Sequence, residues 1–159
     1  LNKFDKIEKL KEIERKFKVN VTLMHFIEEI VPKNIMQAYI FKTPNLSTRI
    51  RLLDNKAYLT IKGGSNPLYR DEFEFEIPVD EGTEMINLFC DKILIKKRYL
   101  LQQDDLYWEI DVFGGKLEGL ILAEIELPEI NTAFILPEWI GEEVTENPAY
   151  LNVNLIDRC

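Results

Sequence analysis

Apolar and polar residues alternate with a period of two along most of this chain, the spacing of β-strands that bury one face. Eight stretches carry the pattern, at 12–19, 35–41, 47–53, 56–63, 70–77, 94–102, 106–113 and 119–127. Asp54-Asn55 and Asp104-Asp105 fall between strand pairs, where tight hairpin turns belong. A helical period interrupts the strands once, over 83–93, where Ile86, Phe89, Cys90 and Ile93 form an apolar stripe. Asn147-Pro148 reads as an N-cap followed by a proline in the first turn, so a short helix should run from there through Leu155. Residues 1–11 carry many charges around Phe4, Ile7 and Leu10 and are expected to be an N-terminal extension or a frayed helix. Without repeats, low-complexity tracts or linkers, residues 12–159 are expected to form one domain.

In seven of the eight strands the alternation sets charges against apolar side chains. Glu12, Glu14 and Lys16 oppose Ile13, Phe17 and Val19; Arg49 and Arg51 oppose Thr48, Ile50 and Leu52; Lys62 opposes Leu59 and Ile61. Further on, Arg70, Glu72, Glu74 and Glu76 oppose Phe73, Phe75 and Ile77, and Lys96 and Arg98 oppose Ile95, Tyr99 and Leu101. Glu109 and Asp111 oppose Trp108, Ile110 and Val112, and Glu124 and Glu126 oppose Ile121, Ala123 and Ile125. The exception is 35–41, which places Ile35, Gln37, Tyr39 and Phe41 together.

Any one such strand is what an antiparallel sheet with a solvated face shows. As a set they differ, because the charges are sorted into blocks of one sign. Eight consecutive antiparallel strands are also enough to curl and close, which removes exposed edges. The expected fold is therefore α+β and mainly β: a closed eight-stranded antiparallel barrel with a charged lumen, its apolar side turned outward under covering helices. Ile13, Phe75, Ile110 and Ile125 should face away from the lumen.

A dry lumen of this kind would cost several kcal/mol per ion. It must hold water, cross-paired charges or a ligand. Arginine forks match phosphate oxygens, and carboxylates without His or Cys suit hard cations such as Mg²⁺ or Mn²⁺. A polyphosphate with bound metal satisfies both sets.

The bulk numbers narrow the classes. The chain has 159 residues, 46% apolar and 30% charged, with a net charge of -8, which argues against a general nucleic-acid binder. No apolar run or leader pattern suggests a membrane span or a signal peptide. Cys90 and Cys159 are far apart, which fits a reducing, cytoplasmic setting and leaves no structural zinc site. The lone His25 reads as an exposed loop residue, and Trp108 and Trp139 read as core. A homodimer stays open.

Glu12-Ile13-Glu14-Arg15-Lys16 resembles the Glu-x-Glu-x-Lys opening of the CYTH family, the triphosphate tunnel metalloenzymes. Gln37-Ala38-Tyr39-Ile40 is similar to the family's Gln-Gly-Tyr-Leu, and Arg49-Ile50-Arg51 to its Arg-x-Arg strand. Leu59-Thr60-Ile61-Lys62-Gly63, Arg70 with the alternating Glu strand, Lys96-Lys97-Arg98-Tyr99, Trp108 to Phe113 and Ala123 to Leu127 follow in the family's order. The tail around Leu136-Pro137-Glu138-Trp139 is similar to the short bacterial inorganic triphosphatases, and the match covers 12–155. Lys97 stands for a usual Thr, Ala38 for Gly, and Lys18 for a common apolar residue, none at a matched site position.

The resemblance implies metal binding by Glu12, Glu14, Glu124 and Glu126, with Asp111 near them. It implies phosphate contacts from Lys16, Arg49, Arg51, Lys62, Lys96 and Arg98, to which Arg70 is added from the charged faces, and a Lys16–Tyr39 pair that helps activate water. Glu72, Glu74 and Glu76 read equally well as counter-ions to the arginines. The activity implied is metal-dependent hydrolysis of a small triphosphate, inorganic tripolyphosphate or a nucleoside triphosphate. A class IV adenylate cyclase, a thiamine triphosphatase and a non-catalytic polyphosphate-binding module are the alternatives.

Overall fold

The computed structural model describes residues 13–66 and 69–159, with the side chains of Val21, Ser65, Asn66, Tyr69 and Arg70 outside the description. The expected lead 1–11 and Glu12 lie outside the described residues. The strands are β1 (Ile13–Val19), β2 (Lys33–Lys42), β3 (Leu46–Leu53), β4 (Lys56–Asn66), β5 (Tyr69–Ile77), β6 (Leu94–Gln103), β7 (Leu106–Phe113), β8 (Ile121–Leu127) and β9 (Ile140–Glu143). The turns at Asp54 and Asp104 form as expected, each aspartate taking positive φ, 50° and 53°.

The strands form one nine-stranded antiparallel sheet in the order β5-β4-β3-β2-β6-β7-β8-β1-β9. The expected closed eight-stranded barrel is overturned: among the described residues the sheet is open, with β5 and β9 as its two edges. Period-two patterning assigns side chains to faces but says nothing about whether the first and last strands meet. The edge of β1 away from β8 is taken instead by β9, which the sequence hid as a short tail segment. Phe17 stands opposite Glu143 and Val19 opposite Ile140, and the Val144 N–H donates to Lys16 O at 2.8 Å.

The sheet nevertheless curls. Lys62 on β4 acts electrostatically on Glu14 of β1, although β3, β2, β6, β7 and β8 lie between them in the order. Tyr39 on β2 likewise feels both Lys62 and Lys16. At about 4.8 Å per strand a flat sheet would hold Glu14 and Lys62 on the order of 30 Å apart. The charged face is therefore the concave one.

The convex face is covered in part. Phe17, Trp108, Ile110, Ala123 and Ile125 are buried under Leu23, Ile27 and Trp139. Trp108 and Trp139 are core, as expected, and stack edge to face 5.3 Å apart. His25, expected in a loop, sits exposed on the one-turn helix α1 (Met24–Ile27). Helix α2 (Val79–Phe89) lies over Ala38 and Ile50 through Ile86. It starts and ends four residues earlier than the apolar stripe suggested. Pro78 serves as its N-cap, and Asp80 and Glu81 suit the positive end of the helix. Gly82 is where α2 meets the sheet, since a Cβ there would come within 2.9 Å of the Ala57 Cβ. Phe75 faces outward as expected, opposite Leu59, but stays 53% exposed, whereas Ile77 further along β5 packs under α2. Among the described residues no helix is long and apolar enough to cross a membrane.

One end of the concave face is apolar and closed. Leu94, Phe113 and Leu122 share that face with the charges and pack against Val144, Leu155 and Ile156. The expected C-terminal helix exists as short pieces, a 3₁₀ turn at Pro148–Tyr150, α3 (Asn152–Leu155) and a 3₁₀ turn at Ile156–Arg158. The Asn147 side chain caps it by accepting from Ala149 N at 3.1 Å.

Candidate active site

Cross-strand register decides which charges meet. Glu14 stands opposite Glu126, and Lys16 opposite Glu124, on the β1–β8 seam. Arg98 stands opposite Asp111 on the β6–β7 seam, and Glu124 opposite Glu109 on the β7–β8 seam. Tyr39 faces Arg49 and Gln37 faces Arg51 on the β2–β3 seam. Thr60 faces Glu74 and Lys62 faces Glu72 across β4–β5. Directly opposed residues share a face, so all of these project onto the concave side.

Two groups result. On the acidic side, buried Lys16 places its ammonium 2.8 Å from Glu124 and 3.4 Å from Glu14, and donates to Tyr150 O at 3.4 Å. Burial disfavours that ammonium, but the Glu124 and Glu14 carboxylates outweigh it and raise the Lys16 pKa. Glu14, whose side chain is 43% exposed, is pushed above the usual carboxylate range by its surroundings and by Glu124. Asp111, 1% exposed, accepts both arms of Arg98 at 2.7 Å and also the Lys96 ammonium. Burial opposes its charge, yet Lys96 and Arg98 hold its pKa below the ordinary value. Arg98 also bonds Glu109 and reaches Glu124 at 3.4 Å.

On the basic side, Arg51 Nη2 donates to both carboxylate oxygens of Glu74, at 3.0 and 2.9 Å. Thr60 is buried between them, donating to Glu74 at 2.8 Å and accepting from Arg49 at 3.3 Å. Lys62 pairs with Glu72 at 2.9 Å. Glu74 therefore acts as the counter-ion that aims the arginines, while Glu76, expected in the same role, pairs with Lys56 at 3.0 Å. Burial raises the Tyr39 pKa, keeping it a neutral phenol. Arg70 lies on β5 with its side chain outside the description.

Alternation misplaced one residue and missed others. A bulge at Ile40 breaks the β2–β3 register, so Phe41 pairs with Thr48 on the convex face and is 51% exposed. The same bulge turns Lys42 to the concave face opposite Ser47, where it donates to Val153 O at 2.9 Å and pairs with Asp157 at 2.6 Å. Nothing in the hydropathy pattern marks the extra residue. Gln37 and Thr60 were visible as polar residues at face positions but carried no charge to draw notice.

The donor chemistry suits a hard divalent cation. Glu14, Glu124 and Glu126 offer oxygen only, and Glu14 and Glu124 repel one another. Among the described residues no three ligating side chains are gathered as a metal cluster, and Lys16 occupies the position between Glu14 and Glu124. Asp111 is saturated by two cations and has the surroundings of a positioning group more than of a ligand.

The CYTH domain model matches residues 10–159. The chain belongs to the CYTH domain family. This CYTH domain is 46% identical over 147 residues to an inorganic triphosphatase of Acetivibrio thermocellus, covering 92% of this chain and 93% of that protein. It is 34% identical to an inorganic triphosphatase of Nitrosomonas europaea, over 89% of this chain and 93% of that protein. A solved inorganic triphosphatase structure superposes with a TM-score of 0.69 at 32% identity, covering 91% of this chain and 93% of that one.

Proposed function

We propose that this CYTH domain hydrolyses a phosphoanhydride bond of a small triphosphate, inorganic tripolyphosphate in the first place, with Mg²⁺ or Mn²⁺. The observation that carries the reading is a surplus of buried donors. Arg49 Nε, Arg51 Nε and Gln37 Nε2 are buried on one seam without an acceptor among the described residues. Unmet buried donors cost about 1–3 kcal/mol each, and phosphate oxygens are the acceptors that arginine forks fit. The names of the relatives support the same substrate class.

In this reading Arg49, Arg51, Lys62, Lys96 and Arg98 hold the phosphates, with Arg70 as a further candidate. Glu14, Glu124 and Glu126, with Glu12 ahead of them, would hold the cation, whose contribution is to neutralise charge on phosphate oxygens. Lys16 and Tyr39 both keep their protons too firmly to serve as bases in the free protein. Their part is to orient water and stabilise charge. Tyr39→Phe should then lower kcat roughly 10- to 1000-fold with little change in KM. An unchanged kcat would return Tyr39 to packing alone. The free thiols Cys90 and Cys159 support a reducing, cytoplasmic setting.

The test is a panel of tripolyphosphate, ATP and thiamine triphosphate with each metal, scored for phosphate, pyrophosphate and cyclic AMP. Phosphate and pyrophosphate from tripolyphosphate are expected. Cyclic AMP from ATP as the main product, or tight binding without turnover, would overturn the reading.

A further inference from the structure

We infer that Gln37 is a substrate-binding residue: its side-chain amide donates to a non-bridging phosphoryl oxygen held on the β2–β3 seam. The inference rests on the proposed triphosphate reading and adds to it a neutral donor that charge-based reasoning passed over.

Gln37 is 1% exposed in the middle of β2, opposite Arg51 on one side and Leu94 on the other. Its neighbours along the same face are Ile35, which is buried, and Tyr39. An amide nitrogen in such a place ordinarily finds a carbonyl or carboxylate. Here Nε2 has no acceptor among the described residues. The nearest polar partner across the strand, Arg51, can only donate, and its own Nε is also unmet. In neither orientation of the amide does Arg51 offer its nitrogen an acceptor. Three donors facing one seam are satisfied together by an anion that brings several oxygens. Glu74, the carboxylate that Arg51 bonds, is already committed to Arg51 and Thr60.

An apolar side chain of equal size would pack at this position with less penalty in the free protein. The glutamine therefore has a binding role that it holds against stability. That gives the test two readouts of opposite sign. In Gln37→Met the ligand-free protein should melt about 2 °C or more above wild type, since an unmet buried donor is removed. Tripolyphosphate, titrated calorimetrically in a chelator-containing, metal-free buffer where it is not turned over, should bind roughly 10- to 100-fold more weakly than to wild type, the worth of a hydrogen bond to a charged acceptor. Gln37→Glu, equal in shape but an acceptor, should weaken binding further.

Lower thermal stability of Gln37→Met would mean that the amide supports the fold, and would overturn the inference. Equal tripolyphosphate affinity of wild type and Gln37→Met would overturn it as well. Failure of the wild type itself to bind tripolyphosphate would instead remove the triphosphate reading, and this inference with it.

Discussion

Asp111→Asn should be the most destabilising single exchange on the charged face, costing about 3–5 kcal/mol. The carboxylate is buried between the equally buried Lys96 and both arms of Arg98. Burial pulls the Lys96 pKa below its ordinary value against the pull of Asp111, so Lys96 depends on that carboxylate to stay charged. Asparagine keeps the shape but turns one oxygen into a donor aimed at two donors. Urea unfolding measures the loss. Tripolyphosphate should restore part of it, because phosphate oxygens supply the missing acceptors by mass action. A loss below about 1 kcal/mol would show that Glu109 and Glu124 already compensate both cations.

Glu124→Gln should reduce turnover of tripolyphosphate by more than about 100-fold, beyond what outer partners of a metal ligand cost. Glu124 combines three connections at one carboxylate: Lys16 at 2.8 Å, Arg98 at 3.4 Å, and the proposed cation beside Glu14. Glutamine matches its volume but removes the anionic donor. It also frees Lys16 from its stronger partner, so the ammonium should move toward Glu14. Phosphate release at limiting Mn²⁺, with far-ultraviolet circular dichroism as the control for folding, separates chemistry from collapse. Full turnover at limiting metal would take Glu124 out of the site.

Face assignment was legible because burial acts on every residue of a strand. Lys16, Arg49, Arg51, Lys96, Arg98, Asp111 and Glu124 all occupy the concave face that alternation predicts. Closure was not legible, since it depends on which backbone occupies the β1 edge. Ile140–Glu143 contains only four residues, one of them a glycine, too short to show a period. The bulge at Ile40 was equally silent, and it alone moved Phe41 to the convex face and Lys42 to the concave one. Helix α2 was misplaced because the apolar stripe from Ile86 to Ile93 runs past its end at Phe89, while its start at Pro78 carries no stripe. The role of Asp111 depended on neighbours as well as on type: the residue was seen, but the two cations that claim it come from β6.

The strand order also dictates when each half of the site can come into being. The chain runs β2 through β5 as successive hairpins, so Tyr39, Arg49, Arg51, Lys62 and Glu74 find one another through local pairing soon after they leave the ribosome. The acidic half has no such shortcut. β1 emerges first and must wait for β8 and β9, because Glu14 pairs with Glu126 and Phe17 with Glu143. Long-range pairing of this kind is slow, as the intervening loop must be closed before any contact rewards it. A nascent chain thus pairs the arginines of β3 with Thr60 of β4 and Glu74 of β5 well before β8 brings Glu124 and Glu126 to β1.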